Sequence, residues 1–468
     1  MSNGLLRRKS IDVGQHGDAL ARTLSWPHLL ALGVGAIVGT GILTLIGVGA
    51  DRAGPAVLLS FTVAGAICAC AALCYAEMAS AIPASGSAYT YSYAVLGEVI
   101  AWVVGWSLIL EYSLVVSTVA VGWSGYAVGF LKGLGIMVPA AFAQGPALGG
   151  IVNLPAVAII AAVAGLLTLG TRESARVNAA LVILKIATLT LFVAVALPRF
   201  DAANLHPFAP FGLGSVAGPD GVKRGMMGAA AIVFFAFYGF DAISTAAEET
   251  KRPERDLAIG IVGSMLACTL IYLLVGMAAI GAIPFVRLGA SPEPLALILR
   301  ELGRPGVATI VAAAAAVALP TVLLAFLYGQ SRIFLVMARD GFLPAALARV
   351  SSRGVPVRIT VMTATLVAVV AALVPLDVIA SLANAGTLCA FIAVAASVLV
   401  MRRRDPTMHR PFRVPVARIV APAAIAGCLY LFTSLQAVTQ IAFVGWNGVG
   451  LVVYLLYGRR RATLGSGQ

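Results

Sequence analysis

From residue 28 onward, apolar runs of about twenty residues, the length that crosses a bilayer, alternate with short polar segments. The run Val307–Leu327 carries no charge at all. This pattern predicts spans near residues 28–49, 56–80, 99–130, 151–170, 177–197 and 226–247. A second set follows near 257–283, 306–337, 358–374, 378–401, 419–440 and 443–458. Some runs exceed what a bilayer needs, so tilted helices or extensions beyond the membrane are expected. The expected fold class is an all-α integral membrane protein of about twelve transmembrane helices.

Composition agrees with this class and removes others. The 468 residues are 60% hydrophobic and 11% charged, too little charge to coat a soluble domain of this size. A formal net charge of +13 would suggest nucleic acid in a soluble protein. Placed on the predicted spans with the N-terminus inside, about 23 basic residues fall in one set of loops and 8 in the other, with Lys185 inside a span, the bias of the positive-inside rule. The basic excess therefore reads as topology: both termini cytoplasmic, no nucleic-acid partner. Residues 1–24 include Arg7, Arg8, Lys9 and Arg22 without an apolar core, so the first span is expected to double as the targeting signal. Cys68, Cys70, Cys74, Cys268, Cys389 and Cys428 all fall within apolar runs and read as packing residues rather than a disulfide or metal framework. No metal is expected.

Two predicted spans are interrupted at matching places. The first contains Gly33-Val-Gly-Ala-Ile-Val-Gly-Thr-Gly41, the sixth Phe234-Phe-Ala-Phe-Tyr-Gly-Phe-Asp241. If spans 1–5 and 6–10 are repeats, the odd number of spans in each makes the second inverted; a matched pair of broken spans is the best sequence pointer to a transporter's midplane site. Gly39, Thr40 and Gly41 favour local unwinding, since glycine costs about 1 kcal/mol in a helix relative to alanine. Unwinding bares backbone N–H groups suited to a carboxylate. Alternatively, Gly35 and Gly39 are a close-packing G-x-x-x-G pair. In the sixth span, carbonyls of Phe235, Ala236 and Tyr238 would suit an ammonium group, and Asp241 would cap the following half-helix. Donors facing acceptors fit a zwitterionic α-amino acid.

Gly33–Leu43, Phe234–Glu249 (FFAFYGFDAISTAAEE) and Tyr328–Pro344 (YGQSRIFLVMARDGFLP) resemble the amino acid–polyamine–organocation (APC) permeases, in the branch of bacterial relatives of cationic amino acid transporters (CAT). The resemblance runs from about Leu24 to Tyr457. It implies a LeuT-type 5+5 inverted repeat plus two peripheral helices. The corresponding divisions are an N-terminal tail 1–27, a first repeat 28–197, a second repeat 226–401, peripheral helices 419–458 and a C-terminal tail 459–468. Family site residues carry over to Ile37, Thr40 and Gly41 for the substrate carboxylate, and to Phe235, Ala236 and Tyr238 for its amine.

Lys185 lies within Leu181-Val-Ile-Leu-Lys-Ile-Ala-Thr-Leu, roughly 10 Å from the start of the fifth span. A charge at mid-membrane costs about 2.5–3.5 kcal/mol on insertion scales. Such a lysine faces the protein interior and either exchanges a proton or pairs structurally with Glu111 or with carbonyls. The resemblance adds that a lysine here stands where sodium-coupled relatives hold an ion, implying a proton as the coupling ion and no other cofactor. Glu111, in the third span, reads as part of a pocket or proton path or as a buried structural carboxylate; Phe326, with Ala325 and Tyr328, is expected to shape the side-chain pocket. No H-E-x-x-H, His pair or serine elbow is present, which excludes the common membrane-enzyme signatures. The reading is a proton-coupled amino acid symporter of the cytoplasmic membrane, with an exchanger or a nutrient sensor using the same site as the alternative; the short tails favour transport over sensing. Expected partners are a small L-amino acid and membrane lipids, with a small membrane subunit left open.

Overall fold

A computed structural model describes residues 8, 24–83, 86–169, 175–289, 291–344 and 356–459. Most of the two predicted tails, the first two positions of the loop expected at residues 84–88, and the loop arginines Arg172, Arg349 and Arg353 counted in the charge bias lie outside these residues. Nine described helices are long and apolar enough to cross a membrane, and Trp26–Ile37, Leu154–Thr168 and Val357–Leu373 are apolar but shorter. The described strands form one antiparallel pair, Val216–Ala217 with Lys223–Arg224. In a bilayer, backbone groups must be satisfied within the spanning segment, and the helix does this locally.

The first half contains α1 (Trp26–Ile37), α2 (Thr40–Leu43), α3 (Leu45–Ala53), α4 (Val57–Ala81), α5 (Ser87–Val95), α6 (Glu98–Gly133), α7 (Ala140–Ala143), α8 (Leu154–Thr168) and α9 (Ala175–Ala196). The second contains α10 (Met226–Val233), α11 (Phe240–Thr245), α12 (Pro253–Ala282), α13 (Pro294–Glu301), α14 (Pro305–Ala318), α15 (Pro320–Arg339), α16 (Val357–Leu373) and α17 (Leu376–Arg404). The last two helices are α18 (Ala417–Thr433) and α19 (Ala437–Val453). The span expected at 306–337 is two helices, α14 and α15, meeting at Leu319. Pro320 opens the second, where its missing N–H would be unsatisfied in any case.

Helix packing recurs between the halves. α1 packs on α12 as α10 packs on α4; α6 meets α17 as α14 meets α9; α6 meets α16 as α15 meets α8. The pairs α4–α12 and α8–α16 are their own counterparts under the same exchange. The stretch Met226–Thr245 is central, 89% of its apolar window being buried, whereas Ala437–Gly458 is peripheral at 22%. A helix apolar all round suits both situations, protein on one and lipid on the other.

Polar side chains fasten the bundle. Glu77 on α4, fully buried, accepts from Arg402 Nε at 2.8 Å and from Val414 N at 2.7 Å, which ties α4 to α17 and the connection after it. Arg52, at the end of α3, pairs with Asp377 on α17 at 3.1 Å. By residue type Trp26, Trp123 and Trp446 suit the interfacial belt; Trp26 is 44% exposed, and the indoles of Trp123 and Trp446 also bond to neighbouring helices. Trp123 Nε1 donates to Ala316 O at 2.7 Å. Trp446 stacks on Trp106 at 4.9 Å, each indole donating to the other's carbonyl. Such bonds are favoured because the alternative in hydrocarbon is an unpaired donor.

Candidate functional site

α1 stops at Ile37, and its closing bond runs from Val38 N to Val34 O at 2.9 Å. Gly39 is extended, and the chain restarts as α2 at Thr40 and Gly41. The last carbonyls of α1 and the first N–H groups of α2 are thereby freed from helical partners. Between α10 and α11 the chain tightens into a 3-10 turn over Phe234–Phe237, then extends at Tyr238. Gly239 follows at φ +114°, a region that residues with a Cβ rarely adopt.

The two breaks touch. A Cβ on Gly41 would stand 2.2 Å from Ala236 Cα, and one on Gly239 would stand 2.7 Å from Ala36 Cβ, so each glycine admits the other segment's backbone. Ile37, Thr40, Phe235, Ala236 and Tyr238 are all at most 4% exposed. The structure therefore brings the six sequence-expected binding positions, Ile37, Thr40, Gly41, Phe235, Ala236 and Tyr238, to one buried locus. Thr40 Oγ1 and Thr44 Oγ1 are buried there without hydrogen-bond partners among the described residues. Buried polar atoms are nearly always paired, so these hydroxyls mark where a polar guest would fit.

The acceptor side differs from expectation. Of the three carbonyls expected to be open, that of Phe235 accepts from Tyr238 N at 3.3 Å, because the 3-10 turn closes an i→i+3 bond. That of Ala236 lies 2.8 Å from the Tyr272 hydroxyl. The same hydroxyl is 2.7 Å from Ile37 O, so one phenol on α12 serves a freed carbonyl in each break. Tyr272 was not legible as a site residue: an aromatic in an apolar helix looks like packing.

Lys185, on α9 and 4% exposed, donates from Nζ to Gly35 O at 2.6 Å. Gly35 lies in the last turn of α1, where a cation suits the helix C-terminus. Asp241, on α11, accepts from Gly239 N at 3.2 Å and from the Tyr112 hydroxyl at 3.3 Å; its carboxylate is engaged at the break it was expected to cap. Phe326 packs on Tyr112, ring centroids 5.2 Å apart. Glu111 precedes Tyr112 on α6 and lies close against Gly386 of α17; its Oε2 has no hydrogen-bond partner among the described residues. The Tyr238 hydroxyl donates to Asn384 Oδ1, and Asn384 Nδ2 donates to Ala231 O at 2.6 Å.

Replacing Tyr272 with phenylalanine strips two carbonyls of their shared donor while leaving the ring. Leaving a buried acceptor unpaired costs about 1–3 kcal/mol. Transport is expected to fall about tenfold, since 1.4 kcal/mol is a factor of ten, with the fold retained. Initial uptake rates beside a melting curve check this; unchanged uptake would deny Tyr272 a role at the breaks.

Residues 24–456 match the amino acid permease family. The branched-chain amino acid permease BcaP of Bacillus subtilis (strain 168) is 44% identical over 473 residues, covering 99% of this chain and 100% of that relative. The methylthioribose transporter of the same organism is 40% identical, with 99% of each chain covered. The vacuolar cationic amino acid transporter 2 of Arabidopsis thaliana is 38% identical over 86% of this chain and 64% of its own. With a family match over nearly its whole length and breaks that meet at a buried polar site, the chain belongs to the amino acid permease (APC) family: it is a multi-pass membrane transporter of amino acids and not an enzyme.

Proposed function

We propose that the chain moves neutral aliphatic L-amino acids together with protons across the cytoplasmic membrane, by alternating access in a fold of twelve spans. In this reading α1–α9 and α10–α17 are inverted five-span repeats, α18 and α19 are peripheral, and both termini face the cytoplasm. The exchange symmetry of the helix contacts supports the repeats, and the uneven spread of basic residues supports the orientation. A bacterial relative supports the cell membrane.

The observation that carries the coupling is the contact of Lys185 Nζ with Gly35 O. A protonated lysine holds the end of α1 in place; a neutral one gives up most of that charge-assisted bond. The free N–H groups around Thr40 and Gly41 receive the substrate carboxylate, and the carbonyl side of the sixth-span break receives its amine. Opening toward either face then parts the ties at that end. At one end these are Leu24 N to Glu249 O at 3.0 Å and Lys251 N to Leu24 O at 2.8 Å. At the other they are Arg52 with Asp377 at 3.1 Å and Gly225 N to Arg52 O at 2.8 Å.

The relatives' names point to different cargoes: branched-chain amino acids, methylthioribose and cationic amino acids. Ile37 and Phe235 give this locus an apolar lining, Phe326 packs on Tyr112, and Asp241 is engaged with Gly239 N and Tyr112, which favours a neutral side chain. The test is uptake of labelled leucine, alanine and arginine into proteoliposomes with and without an inward proton gradient. Gradient-driven accumulation of leucine or alanine, abolished by a protonophore, is expected. Flux only into vesicles preloaded with amino acid would replace the symporter with an exchanger. Binding without flux would replace it with a sensor, and accumulation of arginine alone would move the cargo to the cationic class.

A further inference from the structure

Between Lys132 and Arg172 the sequence contains no charged residue. The connection from α6 to α8, residues 134–153, lies inside this stretch and exposes Leu134, Ile136, Met137, Phe142, Leu148 and Ile151, Met137 by 72%. Other connections at the same end of the bundle are different. That before α10 carries Arg199, Asp201, Asp220, Lys223 and Arg224, with Arg224 paired to Asp220 at 2.7 Å. That around α13 pairs Arg287 with Glu301 and Arg300 with Glu293. Those connections also expose apolar residues, Leu213 and Val216 among them, but each carries charge; residues 134–153 carry none.

The placement of the segment gives a reason. Asn153 N donates to Ala372 O at 3.0 Å, and Gly145 sits against the carbonyls of Ala372 and Leu373. The connection thus rests on the last turn of α16. α8 has 15 residues and α16 has 17, or about 22 Å and 26 Å of helix, both short of the roughly 30 Å hydrocarbon layer. With the N-terminal end of α16 placed at the opposite boundary, the hydrocarbon layer would reach past its C-terminal end, to the level where the segment lies. Leaving water is costly for unpaired backbone, and much of this backbone is paired locally. Ile151 N and Val152 N both donate to Ala141 O, Leu148 N and Gly150 N to Gly145 O, and Ile136 N to Leu131 O.

We propose that residues 134–153 are a membrane-seated cap whose partner is the bilayer itself, with Ile136, Met137, Phe142 and Ile151 held in the acyl region just beneath the headgroups of that leaflet. Interfacial segments of this kind bury their apolar face about 5–10 Å into the headgroup boundary. The cap completes the apolar belt over the short helices α8 and α16, and irregular backbone stays at the boundary rather than at the bilayer centre.

The test places nitroxide labels on Met137→Cys and Phe142→Cys in protein reconstituted into liposomes, with the wild-type chain labelled in parallel as background. Asp220→Cys, in a charged connection, serves as the water reference. Val444→Cys, 64% exposed on α19, serves as the lipid reference. Collision rates with oxygen, which concentrates in lipid, and with a water-soluble nickel chelate are measured at each site. The expected result is an oxygen-to-nickel ratio at 137 and 142 several-fold above that at 220 and between it and the ratio at 444, a position that lies deeper, within a spanning helix. A ratio equal to that at 220 would overturn the proposal in favour of an aqueous loop. Low collision with both reagents would overturn it in favour of a protein cover, a second copy of the chain being the first to check.

Discussion

Proton-driven accumulation is expected to vanish in the Lys185→Ala variant while amino acid exchange survives at reduced rate. The ammonium is seated 2.6 Å from Gly35 O in the turn where α1 has run out of its own donors. Without Lys185 that carbonyl loses its donor, a loss of about 1–3 kcal/mol, or about 5- to 150-fold in the population of the competent conformation. A purely structural lysine would make exchange and accumulation fall together. A coupling lysine separates them, because exchange returns the carrier loaded and needs no net proton movement. Lys185→Arg sharpens the distinction: guanidinium keeps its charge at every accessible pH, so it can hold α1 but cannot release a proton. It is expected to exchange without accumulating. Counterflow and gradient-driven uptake, measured on the same proteoliposomes, decide the matter; full gradient-sensitive accumulation by Lys185→Ala would sink the coupling role.

Much of this site is legible in sequence because the bilayer enforces simple rules. An interrupted apolar run or a lysine within one is conspicuous where twenty uninterrupted apolar residues are the norm. That is why Gly39–Gly41, Tyr238–Gly239 and Lys185 stand out in the chain. Side-chain bonds that cross the bundle leave no such mark. Tyr272 joins Ile37 and Ala236 from positions 235 and 36 residues away, and Tyr112 reaches Asp241 across 129; nothing in local periodicity encodes either partner. The 3-10 turn that closes the Phe235 carbonyl is likewise invisible, since Phe-Phe-Ala-Phe is compatible with an ordinary helix. The helix partners of Trp123 and Trp446 are hidden for a related reason. Composition reports that an indole needs a partner, but not whether water, lipid or a neighbouring helix supplies it.

The sharpest test of the paired breaks is Gly239→Ala, a change of one methyl group. Gly239 sits at φ +114°, and a Cβ there would lie 2.7 Å from Ala36 Cβ and 3.0 Å from Ile37 N. The conformational penalty is about 1–2 kcal/mol and the overpacking penalty about 1–3 kcal/mol. Both act at the contact between the two broken helices, so relief of either pushes α1 and α11 apart. Transport is expected to fall about 100-fold or more, the equivalent of about 3 kcal/mol, with a lowered melting temperature. Gly445→Ala is the control: that glycine lies inside α19, a Cβ added there would meet nothing within 4 Å, and alanine should be neutral or slightly stabilising. If Gly239→Ala transports like Gly445→Ala, the close seating of the sixth-span break on α1 is not needed for movement of substrate, and the carrier works with the two half-helices further apart than they stand here. If instead binding survives while flux is lost, the contact belongs to the conformational change rather than to the site, because substrate still finds its donors at Thr40 and Gly41 but the two helices can no longer pass one another.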